Sequence, residues 1–471
     1  MRISLFAVGM VVLGLAAGRM PARAADVAEM PRAAELTQDD GGPQTSLATD
    51  APAQGPATAA PATPPSEAAA PAAEPAPAPP APPKPWTLPE PCVLKQLGIQ
   101  QYGWLEQGAT FNSLSPVNRW NGPVFCNDRS NEYEMNQLWV GWERPVKTDG
   151  CGWDIGGRVD LMYGSDWRYG LCNGLETNLD ATNRLYGFIL PQFYLEVGYN
   201  DLTVKIGHFA PSIGYEVVAA PGNFFYSHSY ALGYSEPVLV TGFQGDYKLN
   251  EYWNVIAGLN EGFNQFQDED GKFHFLGGLK WHNDEHKVSV SLMTDVGPQV
   301  NGVDPLGQDN QYEFTVVFKK QLNEKLLYAF EQTFGVTEEN VDATSVFGQP
   351  KPFGQTAKWY GLDQYLIYTL NKCWSAGARA EVFRDEEGSR IGGLGGVGIV
   401  GWPAAPGFAG TFTEVTLGLN WHPNSNIVIR PEARWDMYSG STNLNVPGQL
   451  PFGDGTRSSQ FLFATDIIFS F

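Results

Sequence analysis

Apolar and polar residues alternate in short segments along the chain from about residue 98 onward. The clearest case is a pair of segments, Gln192–Tyr199 and Leu202–His208, separated only by Asn200-Asp201. Because successive side chains of a β-strand point to opposite faces, each segment predicts a strand with one apolar and one polar face. The two-residue polar turn predicts that these strands form an antiparallel hairpin.

The same arrangement recurs along the chain and predicts seven hairpins with short polar turns. The turns are Pro145–Cys151, Asn200-Asp201, Leu249–Glu251, Trp281–Glu285, Leu322–Glu324, Leu370–Cys373 and Trp421–Ser425. The connections between hairpins are mostly long and rich in Gly, Pro, Asn or acidic residues: Ser113–Asn131, Ser165–Asn183, Ala210–Pro237, Glu339–Lys351, Gly388–Gly407 and Ser439–Thr456. Short turns that alternate with long loops are typical of an up-and-down transmembrane barrel.

The number of strands predicts a closed barrel. Seven hairpins supply fourteen strands, a segment near Gly98–Phe111 adds one, and the C-terminal segment Ser459–Phe471 adds another. That last segment has one apolar face and ends the chain on an aromatic residue, as outer-membrane barrels characteristically do. The expected fold class is all-β: a transmembrane antiparallel up-and-down β-barrel of about 16 strands with short periplasmic turns and long external loops.

Charged residues occupy the second face of many predicted strands. A lipid-facing Arg or Lys at the bilayer midplane costs roughly 2–4 kcal/mol, so these rows are expected to face a wet lumen. The mixed signs leave open the alternative of a closed interior filled by ion pairs, but the size of a sixteen-stranded barrel favours a water-filled channel whose wall carries paired charges. The expected pore-lining residues are Asp154, Arg158, Asp160, Glu196, Lys205, Arg379, Glu381, Arg430, Glu432, Arg434 and Asp436.

The third long loop, Ala210–Pro237, differs from the others because it is dense in aromatic residues. A loop of this composition is poorly suited to lying in water, which favours a place inside the barrel or on its rim. It follows the fifth predicted strand, where general porins fold a loop into the lumen. We therefore predict a constriction loop to which Glu216, His228 or Glu236 contributes.

Five cysteines occur, and neither their spacing nor the nearby histidines form a metal-binding pattern. We therefore expect no metal site and no cofactor. Cys126 and Cys172 fall in the first and second long loops, which are neighbours on one rim of the predicted barrel, so a disulfide between them is predicted. A second pair, such as Cys92 with Cys151, stays open.

The N-terminal part of the chain differs in composition from the rest. Residues 1–24 are typical of a cleaved secretory signal peptide, with the apolar run Ile3–Ala17 and the small residues Ala22 and Ala24 around the cleavage site. Residues 25–91 are rich in Ala, Pro, Thr and acids and are predicted to be disordered. A spacer is the favoured interpretation of that segment, ahead of a tether to the cell wall. Residues 92–471 form the predicted barrel.

Composition excludes some functions. Charged residues make up 17% of the chain and the formal net charge is −21, whereas nucleic-acid binding favours basic patches. Catalytic motifs are also lacking: Tyr163–Trp167 does not form the G-x-S-x-G elbow of serine hydrolases, and the glycine-rich Gly392–Gly398 has no βαβ context. We expect a protein that is not an enzyme and whose partners are the outer-membrane bilayer and small hydrophilic solutes, with no nucleic acid.

Residues 98–471 resemble the OmpL-like β-barrel porin family of bacterial outer membranes. The resemblance rests on the following stretches: Lys205-Ile-Gly-His-Phe209, Ile213-Gly-Tyr-Glu-Val-Val-Ala-Ala-Pro221, Asn223-Phe-Phe-Tyr-Ser-His-Ser-Tyr230 and Phe461–Phe471. It implies an outer-membrane channel but no particular solute. Analogy with sixteen-stranded porins adds the expectation of a homo-oligomer, a trimer.

Three functions follow as hypotheses. The first is a porin-like channel for passive diffusion of small hydrophilic solutes or ions across the outer membrane. The alternative is a non-conducting structural barrel with a periplasmic tether. An outer-membrane hydrolase is a third hypothesis, which the absence of a nucleophile motif disfavours.

Overall fold

The structure is a computed structural model. It describes residues 85–179, 185–267, 271–299, 309–340, 355–392, 407–444 and 447–471. The predicted signal peptide and residues 25–84 of the Ala/Pro-rich segment lie outside the described residues.

Sixteen strands form the fold. In chain order they are β1 (Gln100–Asn112), β2 (Tyr133–Arg144), β3 (Trp153–Gly164), β4 (Gly187–Tyr199), β5 (Leu202–Phe209), β6 (Val240–Lys248), β7 (Trp253–Asn260), β8 (His274–His282), β9 (Val288–Gln299), β10 (Asp309–Asn323), β11 (Leu326–Asn340), β12 (Gln355–Asn371), β13 (Trp374–Asp385), β14 (Gly410–Asn424), β15 (Ile427–Gly440) and β16 (Ser459–Ser470). All seven predicted hairpins are present.

Each strand pairs antiparallel with its neighbours in sequence, and β1 pairs with β16, so the sheet closes into a barrel. The predicted fold class and strand number are confirmed. Short helical turns occur at α1 (Cys92–Leu97), α2 (Glu176–Leu179) and α3 (Tyr230–Tyr234), with 3₁₀ turns at Ser165–Tyr169 and Ala220–Gly222. No helix among the described residues is long and apolar enough to cross a bilayer.

The outer face of the barrel is apolar. Large hydrophobic side chains remain exposed at alternate positions of nearly every strand, among them Leu195, Ile206, Phe243, Phe314, Leu417 and Phe461. Aromatic rings pair across strands beside the short turns, as in the exposed Trp153 with Tyr199 and the half-buried Trp374 with the exposed Trp421. An apolar band bordered by an aromatic girdle is the surface that a lipid bilayer requires.

Aromatic residues seal the seam between β1 and β16. The backbone N–H and C=O groups of Phe471 and Gly103 exchange two hydrogen bonds of 2.8 Å. The Phe471 ring lies against Gly103, where any added Cβ would stand 2.4 Å from it. Trp86 stacks on Phe469 at 5.7 Å, and its backbone N–H and C=O both bond to the carboxamide of Asn426. The end of the Ala/Pro-rich segment is therefore bound at the seam.

Deletion of Phe471 is expected to reduce the folded fraction of the barrel, because it removes both hydrogen bonds to Gly103 and the ring that covers it. The measurement is the heat-sensitive mobility shift of the refolded barrel on SDS gels. Phe471→Leu keeps the backbone bonds and is the control, with a smaller loss expected. The molecules that do fold should keep the wild-type single-channel conductance. A deletion variant that refolds with wild-type yield would contradict this role.

Candidate functional site

The loop between β5 and β6, Ala210–Pro237, lies inside the barrel. It contains the 3₁₀ turn Ala220–Gly222 and helix α3, and most of its residues are buried. Its hydrogen-bond partners are inward-facing side chains of the wall, and those on β12, β13 and β15 lie across the lumen from the strands that it connects. The partners include Gln137 on β2, Glu331 on β11, Tyr365 on β12, Arg379 and Glu381 on β13, and Arg430, Glu432, Arg434 and Asp436 on β15.

Wall carboxylates bind the backbone of this loop. Glu381 accepts hydrogen bonds from the N–H groups of Tyr230 and Ala231, at 2.7 and 2.8 Å. Glu432 accepts in the same way from Tyr226 and Ser227, at 2.9 and 3.1 Å. A carboxylate that accepts two consecutive backbone N–H groups fixes the position of that stretch of the loop. These two residues therefore act as anchors for the loop.

Wall arginines bind the carbonyl groups of the same loop. Arg430 donates to the C=O of Asn223 at 2.8 Å and pairs with Asp466 at 2.6 Å. Arg434 donates to the C=O of His228 at 2.6 Å, and its Nε pairs with Asp436 at 2.8 Å. The planar guanidinium has five donors, so one arginine can bind a wall carboxylate and a loop carbonyl together.

Arg379 and Glu216 form the central ion pair between wall and loop. Arg379 Nη1 lies 2.7 Å from Glu216 and donates to the C=O of Ser227 at the same distance, while Nε lies 2.5 Å from Glu414. His228 Nδ1 lies 2.9 Å from the second Glu216 oxygen. Burial raises the pKa of Glu216, but Arg379 and His228 outweigh it, and the pKa falls from its ordinary value of 4.5 to about 2.

Glu236 has the opposite environment at the other end of the loop. It is buried next to Glu331, Glu313 and Asp363. Burial raises the pKa of Glu236 well above 4.5, and the neighbouring carboxyls raise it further. Across the described residues, no group of three or more His, Cys, Asp or Glu side chains is arranged to hold a metal ion.

The eleven residues expected to line the pore all project inward. Nine of them are buried, whereas Asp154 and Lys205 are partly exposed. Most of the nine contact each other or the loop, as in Arg158 with Asp160 at 2.7 Å. Beside the loop, the wall charges are therefore paired with each other or bound to loop atoms. Contact of these residues with a solute stays a prediction, as does a role of Glu216, His228 and Glu236 in a constriction.

Some contacts have no marker in the sequence. Asp128 and Arg168, from the first and second long loops, form a buried bidentate pair at 2.8 and 2.9 Å. Cys126 and Cys172 belong to one buried cluster. All five cysteines lie within the described residues, and each is a free thiol in the structure. The disulfide between Cys126 and Cys172 stays a prediction. The ion pair between these loops could not be foreseen, because each loop holds several charged residues and nothing in the sequence selects this pair.

Comparison with known proteins defines the class. Residues 98–471 match the family model described as "Putative beta-barrel porin-2, OmpL-like", and the chain belongs to this family of outer-membrane porins. Its barrel is similar to an anion-selective porin from Comamonas acidovorans, with a TM-score of 0.52 and 10% identity over 79% of this chain and 99% of the porin.

A second similar structure is the outer-membrane channel DcaP of Acinetobacter baumannii, with a TM-score of 0.50 and 9% identity over 79% of this chain and 97% of that one. At these identities the similarity is one of fold. No curated protein sequence matches the chain.

The two loop acids should give opposite pH dependence. Because the pKa of Glu216 is lowered, its stabilising effect is present above pH 4.5 and is lost as the pH falls toward 2. Because the pKa of Glu236 is raised, that residue destabilises the fold increasingly as the pH rises above 4.5. The measurement is the free energy of unfolding by urea, in detergent micelles, as a function of pH.

We expect Glu216→Gln to be less stable than wild type at neutral pH, by about 3–5 kcal/mol for a broken buried pair, with the difference shrinking toward pH 2. Glu236→Gln should match wild type near pH 4 and become more stable than it as the pH rises. Parallel stability curves for wild type and both variants would contradict these electrostatic assignments.

Proposed function

We propose that this protein is a porin that allows small hydrophilic solutes or ions to diffuse passively across the bacterial outer membrane, and that the loop Ala210–Pro237 narrows its lumen. The observation that carries the proposal is the attachment of this loop to the inner wall through Glu381, Glu432 and the Arg379–Glu216 pair. A loop held by so many buried polar contacts keeps one position, so it can set a pore size.

Planar-bilayer recording of the purified, folded protein tests this function. We expect stepwise single-channel currents in potassium chloride. The variants Glu216→Ala, His228→Ala and Glu236→Ala are each expected to change the conductance, because each one removes contacts within the loop or between loop and wall. Heat-sensitive gel mobility verifies that each variant is folded. A folded barrel without ion flux would refute the channel, and unchanged conductance in all three variants would refute the constriction.

A non-conducting structural barrel is the second candidate. The observation that favours this candidate is the packing of Trp86 on the barrel, which attaches the N-terminal segment to it.

For either function, we propose that residues 1–24 are cleaved on export and that residues 25–91 act as a periplasmic spacer. A trimer is the proposed assembly, by analogy with sixteen-stranded porins, and native mass spectrometry tests it. An outer-membrane hydrolase, the third candidate, would be detected by lipase and protease assays in micelles.

A further inference from the structure

The loop Ala210–Pro237 turns its acidic and basic side chains away from the lumen. The structure describes the whole of this loop, which contains three such residues, Glu216, His228 and Glu236. Each of them is no more than 5% exposed. The side chains that the loop leaves at least partly uncovered are therefore uncharged, and most of them are apolar: Pro211, Tyr215, Val217, Pro221 and Phe224.

The uncovered apolar residues centre on a tight turn, residues 217–224. The carboxamide of Asn223 closes this turn, because its Oδ1 accepts from the N–H of Val217 at 3.0 Å and its Nδ2 donates to the C=O of the same residue at 2.6 Å. The polar atoms of Asn223 are thus used within the turn. Val217 is the most exposed residue of the loop, at 41%. Because the loop lies inside the barrel, this surface faces the lumen.

Wall residues hold the turn against one side of the lumen. Arg430 on β15 donates to the C=O of Ala220 at 3.1 Å and to the C=O of Asn223 at 2.8 Å. The Phe224 ring lies against Gly377 on β13, where an added Cβ would stand 2.3 Å from it. The turn is therefore fixed, and its apolar surface forms one side of the passage.

The wall across the lumen from the turn is hydrophilic. In the closed order of the strands, β6–β9 lie opposite β13–β15 and β16. Asn254 on β7 and Ser291 on β9 are partly exposed, and they fall within the first four residues of their strands, as Gly377 does on β13. Charged residues of both signs neighbour Asn254, since it donates to Asp246 at 2.7 Å and pairs in register with Lys280. This side offers hydrogen bonds to a solute without depending on one sign of charge.

A passage with one apolar side and one hydrogen-bonding side distinguishes solutes of equal size. A solute that is polar all round loses water where it touches the apolar side and gains no hydrogen bond in return. A solute with one apolar face covers that side favourably, because the free energy gained is proportional to the apolar area removed from water. Its polar groups can bond to the opposite wall at the same time.

We propose that the turn 217–224 selects small hydrophilic solutes that carry one apolar face, such as amino acids with aliphatic side chains, over equally small solutes that are polar all round. Val217 and Phe224 are the residues that determine this specificity. The inference rests on the proposed channel function, and it names a class among the small solutes that such a channel admits.

The test is the swelling rate of liposomes that contain the full-length protein, measured with leucine and with asparagine. These two amino acids are close in size and carry no net charge near neutral pH, so they differ mainly in the apolar surface of their side chains. Protein-free liposomes supply the background rate. We expect leucine to enter about twofold to fourfold faster than asparagine through the wild-type protein.

Val217→Thr keeps the shape of the side chain and replaces one methyl group by a hydroxyl group. It should lower the leucine-to-asparagine ratio to about half of the wild-type value and leave the potassium chloride conductance unchanged. Val415→Thr is the matched control, because Val415 on β14 is also 41% exposed but belongs to the outer face of the barrel. This variant should keep the wild-type ratio.

Phe224→Gln and Phe224→Leu form a second pair of variants, with side chains of similar size. The ratio should be lower for glutamine than for leucine at this position. Equal entry of the two solutes in wild type, faster entry of asparagine, or a ratio that neither Val217→Thr nor Phe224→Gln changes would overturn the proposal. Absence of swelling with either solute, from a barrel that gel mobility shows to be folded, would instead refute the channel itself.

Discussion

The structure depends on the requirement that no backbone hydrogen-bonding group be left unpaired in the hydrocarbon of a bilayer. A sheet of strands satisfies this requirement only when its first and last strands also pair. The exchange of hydrogen bonds between Gly103 and Phe471, and the nine registered residue pairs between β1 and β16, complete the ring. Closure then divides every strand into a lipid face and an inner face, and charged side chains at the depth of the hydrocarbon belong on the inner face.

An inner face that carries many charges has its own electrostatic problem. Removing a carboxylate or guanidinium from water costs several kcal/mol unless its partners compensate. The barrel meets this cost by folding a loop inward whose backbone supplies donors to acids and acceptors to arginines. Glu381 binds two loop amides, while Arg434 binds a loop carbonyl and Asp436. The loop and the charged wall therefore stabilise each other, and neither would be stable in its place alone.

Much of the barrel could be predicted because its information is local. Period-two alternation identifies a strand such as β15 from its own residues, and the turn between β4 and β5 needs only Asn200 and Asp201. The loop Ala210–Pro237 could be singled out by composition alone. Its partners could not: the contact of Tyr226 with Glu432 joins residues 206 positions apart and depends on the register of many strands. The packing of Trp86 on Phe469 likewise joins the two ends of the described chain.

Which inward charges are exposed in the lumen could not be predicted, and the reason is also physical. Inward direction follows from alternation, but exposure depends on what else enters the lumen. Arginine forms bidentate and multiple contacts, so it is used where the loop must be held, and Arg379 is buried between Glu216 and Glu414. Lysine is a strongly hydrated point charge that keeps water around it. The net charge of −21 therefore describes the chain and not the pore. The charges that a solute meets are those that the loop and the neighbouring side chains leave uncovered, and alternation along a strand does not encode that.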